Sequence, residues 1–424
     1  MNVEIINTGT ELLLGRVLNT HQQWLGRALA DAGYAVTRQV AVADTGRAIQ
    51  EAVREALSRA DWIVTTGGLG PTSDDLTREF IAALLGRKLH EDAAVLGHLQ
   101  EFFARRNRAM PPATAIQAQV PDGALVLPNA FGTAPGLILE VNPNPHRADG
   151  QPSWLVLLPG PPRELRPLFT YQVLPFLKQK APLPEPFVCR TLRTTGIGES
   201  VVEERIAGAL QPLVATGIEI GYCARPGEVD VRLTARGHDA DAAVSAAEDI
   251  VLRLIRDHVF GRDDDEMETV VVRLLEERSK TLAIAESCTG GLIAHRVTNV
   301  PGASAVFLGG WVTYSNEAKE KALGVRPGTL AVHGAVSEAV AREMAEGARR
   351  TSGADYALAT TGIAGPGGGT PAKPVGTVFT ACASRREIRV MNASNPWDRG
   401  TFKHVTSQQA LELLRRAIMS DPEP

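Results

Sequence analysis

The sequence predicts a chain of three α/β and α+β domains, the first built on a parallel sheet with helices on both faces. Its 424 residues exceed what one hydrophobic core usually holds. The apolar and charged fractions, 44% and 22%, are those of a folded protein. Strands and helices alternate in the first part, as they do in helix-covered parallel sheets.

Five apolar runs predict the strands of the first domain: Val3–Thr8, Val36–Val42, Trp62–Thr66, Gly136–Val141 and Trp154–Leu158. Helical periodicity occupies two of the intervals, at about 20–32 and 46–59. Ligands of such sheets bind at the carboxyl ends of the parallel strands. We therefore expect the functional residues of this domain in the loops after these strands.

Two breaks in the pattern predict three domains. The first is the proline-rich segment 175–186, and the second is the acidic turn Asp263–Glu266. Between them, short strands and two helices predict a small α+β domain. The predicted domains are 1–175, 186–262 and 263–424. The third opens with a helix at Met267–Arg278 and a strand at Leu282–Ala285.

Composition excludes several classes of protein. The net charge is −4 without a basic block, which argues against a direct nucleic-acid or membrane-surface partner. The first residues do not resemble a signal peptide, and no apolar run approaches the roughly 20 residues of a membrane span. The four cysteines are scattered, as in proteins of a reducing cytosol. We expect a cytoplasmic protein.

Three loops of the first domain carry glycines and carboxylates: residues 8–13, 65–75 and 158–164. Glycines let a ligand approach the backbone, and a following helix offers free N–H groups to an anion. Asp74 and Asp75 beside such an anion would require a bridging hard cation. The alternatives are structural: Asp74 or Asp75 caps a helix Asp74–Leu85, Glu11 begins a helix, and Asp44 shapes a turn.

These loops resemble the molybdopterin-binding-like domain of the competence/damage-inducible protein A (CinA) family. The resemblance rests on Gly9-Thr10-Glu11, on Gly67–Thr72 with Asp74-Asp75, and on Pro159–Glu164. It implies a metal-dependent ADP-ribose pyrophosphatase, although related domains bind molybdopterin instead. The implied cation is Mg²⁺, Mn²⁺ or Co²⁺. The implied cation ligands and glycine contacts to substrate are Glu11, Asp44, Asp74, Asp75, Gly67, Gly68 and Gly70.

The same family has a small middle domain similar to a KH module. A KH module that binds nucleic acid clamps the backbone with a G-x-x-G loop. Residues 195–199 read Thr-Gly-Ile-Gly-Glu, which has the wrong spacing and an acidic residue. We expect a linking role and no RNA binding.

In the third domain, Ser287 follows a strand and precedes the helical run Leu292–Asn299. The N–H groups near Thr289-Gly290 could stabilise an oxyanion. A serine nucleophile needs a base, and neither His295 nor His333 is well placed. Lys319 is the candidate base, with Tyr314 as proton relay or stacking partner.

Further along, Thr361 in the glycine-rich loop 360–369 could contact a substrate, and Arg399 with Lys403 could hold a phosphate. Each residue has a plainer interpretation. Ser287 could cap the helix, Lys319 could be a solvated lysine, and the two basic residues could form an exposed face. Cys288 is a rival nucleophile, although a buried thiol is commoner.

Residues 285–291, 314–319 and 361–366 resemble the C-terminal domain of the same family, which is similar to nicotinamide mononucleotide deamidases. The resemblance implies Ser287 as nucleophile and Tyr314 and Lys319 as activating groups. It also implies substrate contacts, which with the oxyanion donors are Thr289, Gly290, Thr361, Gly362, Arg399 and Lys403. The family pattern has glycine where this chain has Trp397 and a second arginine where it has Lys403.

The resulting hypothesis is a bifunctional hydrolase of pyridine nucleotides. One site would convert nicotinamide mononucleotide to nicotinate mononucleotide and ammonia without a cofactor. The other would hydrolyse ADP-ribose-type diphosphates with a divalent cation. We expect a homodimer. The alternative is a competence- or DNA-damage-associated ligand-binding or scaffold protein whose first domain is not catalytic.

Overall fold

A computed structural model describes residues 1–421 and divides the chain into two compact units, Met1–Phe187 and a second unit from Val188 onward. No helix of the described chain is both long and apolar enough to span a bilayer.

The first unit contains eight strands and seven α-helices. Its strands are β1 Val3–Thr8, β2 Val36–Val42, β3 Trp62–Thr66, β4 Leu89–Glu91, β5 Gln119–Pro121, β6 Leu125–Leu127, β7 Gly136–Val141 and β8 Ser153–Leu158. Its helices are α1 Thr10–Leu13, α2 Thr20–Asp31, α3 Gly46–Leu57, α4 Thr77–Leu84, α5 Ala93–Ala104, α6 Pro162–Leu168 and α7 Leu174–Lys180.

Six of these strands form one sheet in the order β2-β1-β3-β8-β7-β6. The first four are parallel, and β7 and β6 extend the sheet antiparallel. Side chains alternate across the sheet, so Ile6 packs with α3, α4 and α5 while Val3 and Ile5 pack with α2, α6 and α7. The predicted three-layer parallel-sheet architecture is confirmed.

The second unit begins with a four-stranded sheet in the order β10-β11-β9-β12. Its elements are β9 Phe187–Thr195, α8 Glu199–Val214, β10 Glu219–Arg225, β11 Glu228–Arg236, α9 Ala240–Ile255 and β12 Val259–Arg262. Apolar residues of α8 and α9 pack on one face of this sheet. This is the α+β domain that the sequence predicts.

A five-stranded sheet follows in the order β14-β13-β15-β16-β17, with β14, β13 and β15 parallel and the last two antiparallel. The elements are α10 Met267–Glu277, β13 Leu282–Glu286, α11 Leu292–Thr298, β14 Phe307–Val312, α12 Asn316–Leu323, α13 Pro327–His333, α14 Glu338–Ser352, β15 Tyr356–Gly362, β16 Thr377–Ala383, β17 Ile388–Ser394 and α15 Arg399–Ser420. Helices α10, α11 and α15 cover one face, and α14 covers the other.

Candidate active sites

A pocket of about 290 Å³ lies where the parallel strands β13 and β15 end. Its walls come from the turn after β13, from α12, from the loop after β15 and from the start of α15. The predicted residues that line it are Ser287, Tyr314, Lys319, Thr361, Gly362 and Arg399. The fold therefore brings together side chains that are more than 100 positions apart in the sequence.

Ser287 and Lys319 are in direct contact. The Lys319 Nζ lies 3.1 Å from the Ser287 Oγ, 2.8 Å from the Thr313 carbonyl oxygen and 3.4 Å from the Tyr314 carbonyl oxygen. A neutral amine has two N–H donors and one lone pair. The two carbonyls can accept both N–H groups, which leaves the lone pair free to accept the Ser287 proton.

The environment of Lys319 favours this neutral form. Its side chain is buried, with 1% exposure, and within residues 1–421 no carboxylate forms an ion pair with it. Burial lowers the pKa of Lys319 below its ordinary value, against a smaller opposing influence of the Cys288 sulfur. The interpretation of Lys319 as a solvated surface residue is wrong.

Cys288, the rival nucleophile, lies in an environment that disfavours its reactive thiolate form. Its thiol is buried, and burial raises its pKa to about 12. Since the thiolate is the reactive form of cysteine, Cys288 is almost entirely unreactive near neutral pH. Cys288 packs with Ala364, Val378 and Phe402 as a small apolar side chain.

The helix-cap interpretation of Ser287 is also wrong. The carboxylate of Glu286 accepts hydrogen bonds from the N–H groups of Gly291, Ile293 and Ala294 at 2.9–3.1 Å. Glu286 thus accepts the hydrogen bonds of the free N–H groups at the start of α11, and the Ser287 hydroxyl makes no capping hydrogen bond. The sequence analysis missed this role of Glu286, although an acidic residue just before a helix is the signal that could have shown it.

Two backbone N–H groups remain as oxyanion donors. The Ser287 N–H donates to the Thr360 carbonyl at 3.0 Å, and the Gly290 N–H donates to the Ser287 carbonyl at 3.2 Å. The N–H groups of Cys288 and Thr289 have no backbone acceptor within the described chain. An oxyanion site at this turn would therefore use Cys288 and Thr289, with Gly290 shaping the turn through its positive φ of 61°.

Tyr314 and Arg399 form the outer wall of the pocket. The Tyr314 hydroxyl accepts a hydrogen bond from the Arg399 guanidinium, which also donates to the Gly365 carbonyl at 2.9 Å. The hydroxyl bonds neither Ser287 nor Lys319. Of its two predicted roles, stacking against a substrate ring fits this arrangement, since the Tyr314 side chain is 59% exposed.

The remaining predicted substrate contacts differ in their availability. The Thr361 hydroxyl donates to the Ala335 carbonyl at 2.8 Å, so towards a substrate it can act only as an acceptor. The Thr289 hydroxyl is buried against that of Thr360. Lys403 does not line the pocket, but its Nζ lies 3.6 Å from where a Cβ on Gly290 would be.

A second pocket, of about 390 Å³, lies in the first unit at the carboxyl ends of β1, β2, β3 and β8. All seven residues predicted as cation ligands or glycine contacts line it, namely Glu11, Asp44, Gly67, Gly68, Gly70, Asp74 and Asp75. The glycines are required by close packing. A Cβ on Gly68 would lie 2.0 Å from the Thr77 Oγ1, and one on Gly70 would lie 2.3 Å from the Asp75 Oδ2.

The carboxylates of this pocket are spread apart. Asp44 accepts a hydrogen bond from the Thr10 N–H at 2.8 Å, and Asp75 accepts one from the Thr72 N–H at 3.0 Å. Within residues 1–421, no three acidic, histidine or cysteine side chains converge as metal ligands. The pocket is therefore not a preformed metal cage. Its oxygen donors do fit a cation held jointly by one or two carboxylates and substrate phosphates, as Mg²⁺ usually is.

The structural alternative for Asp74 and Asp75 is wrong. Helix α4 begins at Thr77 rather than at Asp74, and Leu76 precedes it without a side-chain cap. The Asp75 carboxylate instead accepts hydrogen bonds from the N–H and the hydroxyl of Thr72 within the loop. Glu11 lies in the short helix α1, where it makes the first turn acidic, in line with its predicted position at a helix entry.

Glu164 also lines this pocket, and the sequence analysis gave it no role. Glu164 is buried, and its carboxylate accepts a hydrogen bond from the Asn129 side chain at 2.8 Å. Burial raises the pKa of Glu164. The motif Pro159–Glu164 pointed to this loop, but nothing in the sequence shows that its carboxylate turns inward.

Three family models match consecutive parts of the chain. Residues 4–179 match the probable molybdopterin binding domain, residues 189–261 match the damage-inducible protein CinA KH domain, and residues 264–418 match the CinA C-terminal domain.

Relatives share the whole length. A CinA-like protein of Akkermansia muciniphila is 46% identical over 100% of this chain and 99% of its own. A putative competence-damage inducible protein of Moorella thermoacetica is 46% identical over 100% of both chains. The solved competence/damage inducible protein CihA of Agrobacterium tumefaciens is 40% identical over 37% of this chain and 98% of its own, with a TM-score of 0.34. The chain belongs to the competence/damage-inducible protein A (CinA) family.

Proposed function

We propose that the pocket around Ser287 hydrolyses the carboxamide of nicotinamide mononucleotide through an acyl-enzyme. The observation that carries the proposal is the 3.1 Å contact between the Ser287 Oγ and the buried Lys319 Nζ. A serine attacks a carbonyl only when a base removes its proton, and a buried, unpaired lysine provides that base. The choice of nicotinamide mononucleotide as the substrate rests on the resemblance of this domain to nicotinamide mononucleotide deamidases.

The reaction would proceed in two steps. Lys319 takes the Ser287 proton as the Oγ attacks the carboxamide carbon, and the N–H groups of Cys288 and Thr289 stabilise the oxyanion. Lys319 then delivers the proton to the leaving nitrogen, and ammonia departs. Water, deprotonated by Lys319, hydrolyses the ester and releases nicotinate mononucleotide and Ser287.

The pocket walls have complementary roles in binding. The exposed ring of Tyr314 can stack on the pyridine ring, whose positive charge is attracted to an aromatic face. Arg399, held by Gly365 and Tyr314, can bind the 5′-phosphate together with Lys403. A lysine at position 403 supplies charge without a bidentate fork, so Arg399 would fix the orientation of the phosphate.

Ammonia release from nicotinamide mononucleotide by the purified full-length chain tests this proposal. Mass spectrometry of protein quenched during turnover should show Ser287 acylated by nicotinate mononucleotide, with the ribose 5′-phosphate still attached to the ring. Absence of ammonia release under a range of pH values and substrate concentrations would favour the alternative of a non-catalytic binding or scaffold protein.

We propose a second activity for the first unit, the hydrolysis of an ADP-ribose-type diphosphate. The observation that supports it is a pocket that combines glycine-lined backbone with oxygen donors at the ends of four parallel strands. Asp44, Asp74, Asp75 and Glu11 would hold a divalent cation together with the diphosphate. The cation would neutralise phosphate charge and polarise the scissile bond.

Turnover of ADP-ribose with and without a chelator tests the second activity. We expect activity with Mg²⁺, Mn²⁺ or Co²⁺ and none with EDTA, while amide hydrolysis by the other site continues. Metal-independent turnover would contradict the cation role. Tight molybdopterin binding without any turnover would instead assign the pocket to binding alone.

A further inference from the structure

The second unit contains another pocket, of about 630 Å³, that belongs to neither proposed reaction. It lies between the four-stranded sheet domain and the last domain, and its size is within the range of small-molecule sites. Six arginines from five regions of the chain line it: Arg256, Arg262, Arg273, Arg389, Arg415 and Arg416. Two acidic residues, Asp257 and Asp265, also line it.

We infer that this pocket binds a small anion with a diphosphate or longer phosphate chain, such as a nucleoside di- or triphosphate. Guanidinium groups present planar pairs of N–H donors that match phosphate oxygens, and several phosphates are needed to use arginines on different walls. We name it the arginine pocket.

The carboxylates around the arginine pocket orient its arginines without matching them one to one. Glu412 accepts hydrogen bonds from both Arg415, at 2.7 and 3.0 Å, and Arg416, at 2.5 Å. Glu248 forms ion pairs with Arg262 and with Arg190, which lies outside the pocket, whereas Arg389 pairs with Glu387. One carboxylate shared by two guanidinium groups leaves donors free for a ligand.

Two of the six arginines, Arg256 and Arg273, have donors available for a ligand. Arg256 is exposed, and its guanidinium has no hydrogen-bond or ion-pair partner in residues 1–421. Arg273 is half-exposed and reaches Asp265 only at 3.3–3.5 Å. The Asp265 carboxylate also accepts a hydrogen bond from the backbone N–H of Arg262, so it stabilises the local turn as well.

The pocket is separate from the deamidase site. Arg399, in that site, is the first residue of α15, whereas Arg415 and Arg416 lie more than four turns later on the same helix. At 1.5 Å per residue, Arg399 and Arg415 are about 24 Å apart along the helix axis. A phosphorylated ligand of the arginine pocket therefore does not occupy the substrate position.

The test is calorimetric titration of the full-length protein in EDTA with inorganic pyrophosphate, ADP, ATP, AMP and inorganic phosphate. EDTA removes the cation that diphosphates would need in the first unit. We expect pyrophosphate, ADP and ATP to bind and the two monophosphates to bind at least tenfold more weakly. Equal affinity for pyrophosphate and ADP indicates that the phosphate chain alone is recognised, and tighter ADP binding indicates a nucleoside contact.

Arg256→Ala and Arg273→Ala remove exposed arginines and should leave the fold intact. Each should weaken pyrophosphate binding about tenfold, because each removes a charge-assisted hydrogen bond to a phosphate oxygen. The matched control is Arg253→Ala, an exposed arginine of α9 outside the pocket. Arg399→Ala controls for binding in the deamidase pocket. Both controls should bind pyrophosphate as the wild type does.

Three results would overturn the inference. The first is no binding of any diphosphate by the wild-type protein. The second is binding that Arg256→Ala and Arg273→Ala leave unchanged. The third is a short single-stranded RNA that binds more tightly than ATP and depends on the same arginines, which would assign the pocket to nucleic acid.

Discussion

The two proposed active sites differ in how far the protein alone assembles them. Around Ser287 the proposed nucleophile, its proposed base and two N–H donors are already in place, and Lys319 is buried beside the Thr313 carbonyl. In the first unit, the carboxylates of Asp44 and Asp75 accept hydrogen bonds from backbone N–H groups of the loops. Within residues 1–421, no three side chains form a cluster that could bind a metal. Proton transfer needs a preformed contact, whereas a cation can complete its own coordination with substrate and water.

Ser287→Ala should have the largest effect on this comparison. It should lower kcat for nicotinamide mononucleotide by about 10³-fold or more, since a nucleophile and its base act as a unit. The matched control is Cys288→Ala, whose buried thiol has no role in the reaction and should leave kcat within a few-fold. Steady-state ammonia release measures both. An active Ser287→Ala with an inactive Cys288→Ala would reverse the assignment.

Because Glu286 rather than Ser287 satisfies α11, the Ser287→Ala variant should also keep its stability. We expect its free energy of unfolding to change by less than about 0.5 kcal/mol, below the roughly 1 kcal/mol of a lost cap. Urea denaturation measures this. A larger loss would show that the hydroxyl has a structural role.

Lys319→Arg should be nearly as damaging as the loss of Ser287, with kcat lowered by about 10²-fold or more. A guanidinium stays protonated near neutral pH and cannot accept the serine proton. Its control is Lys321→Arg on the same helix, an exposed residue paired with Glu317. A Lys319→Arg enzyme with near-normal kcat would rule out the lysine as base.

The pH dependence of the wild-type enzyme should report the same lysine. The base must be neutral, so kcat/KM should rise with pH through the pKa of Lys319 in the free enzyme. Because burial lowers that pKa, the rise should occur below the ordinary lysine value of about 10.4. The pyridinium charge of the substrate is fixed and its phosphate titrates near pH 6, so the profile should be measured above about pH 7. A profile that falls with rising pH across this range would contradict the mechanism.

Asp75→Ala should separate the two sites. We expect diphosphate turnover to fall about 10²-fold, because the substitution removes a proposed cation ligand and the loop bond to Thr72. Amide hydrolysis should not change. Asp75→Asn is the companion variant, since an amide keeps the hydrogen bond with Thr72 but loses the charge. If Asp75→Asn is fully active, the carboxylate serves the loop and not a cation.

Removing the four-stranded sheet domain from the second unit should have the smallest effect on deamidase activity. A fragment 263–424 contains every predicted deamidase residue and should keep activity, as should a fragment 188–424. The free energy of unfolding of the shorter fragment, measured by urea denaturation, should be about 1–3 kcal/mol lower. This fragment loses the bonds from Arg193 to Glu266 and from Arg416 to the Asp257 carbonyl. Equal stability would show that the last domain stands alone.

Much of the local structure follows from the sequence. The strands Val3–Thr8 and Trp62–Thr66 occur where apolar runs predict them, because a buried strand needs nonpolar side chains on both faces. The edge strand Val36–Val42 also has its predicted bounds, although it is only half-buried. Helix ends differ by a few residues, and α4 begins three residues later than predicted since Asp74 and Asp75 are used by the preceding loop. The motifs also indicated which loops would carry the two sites.

Contacts between distant residues were decided by the tertiary structure alone. From the sequence, Ser287 could be a helix cap or a nucleophile, and Lys319 could be a solvated residue or a base. The packing around the two side chains distinguishes these alternatives. Burial removed the lysine from water, and Glu286 took the capping role. The same limit hid Glu164 and the arginine pocket, because a side chain's charge environment depends on which elements fold against it, and no local pattern records that.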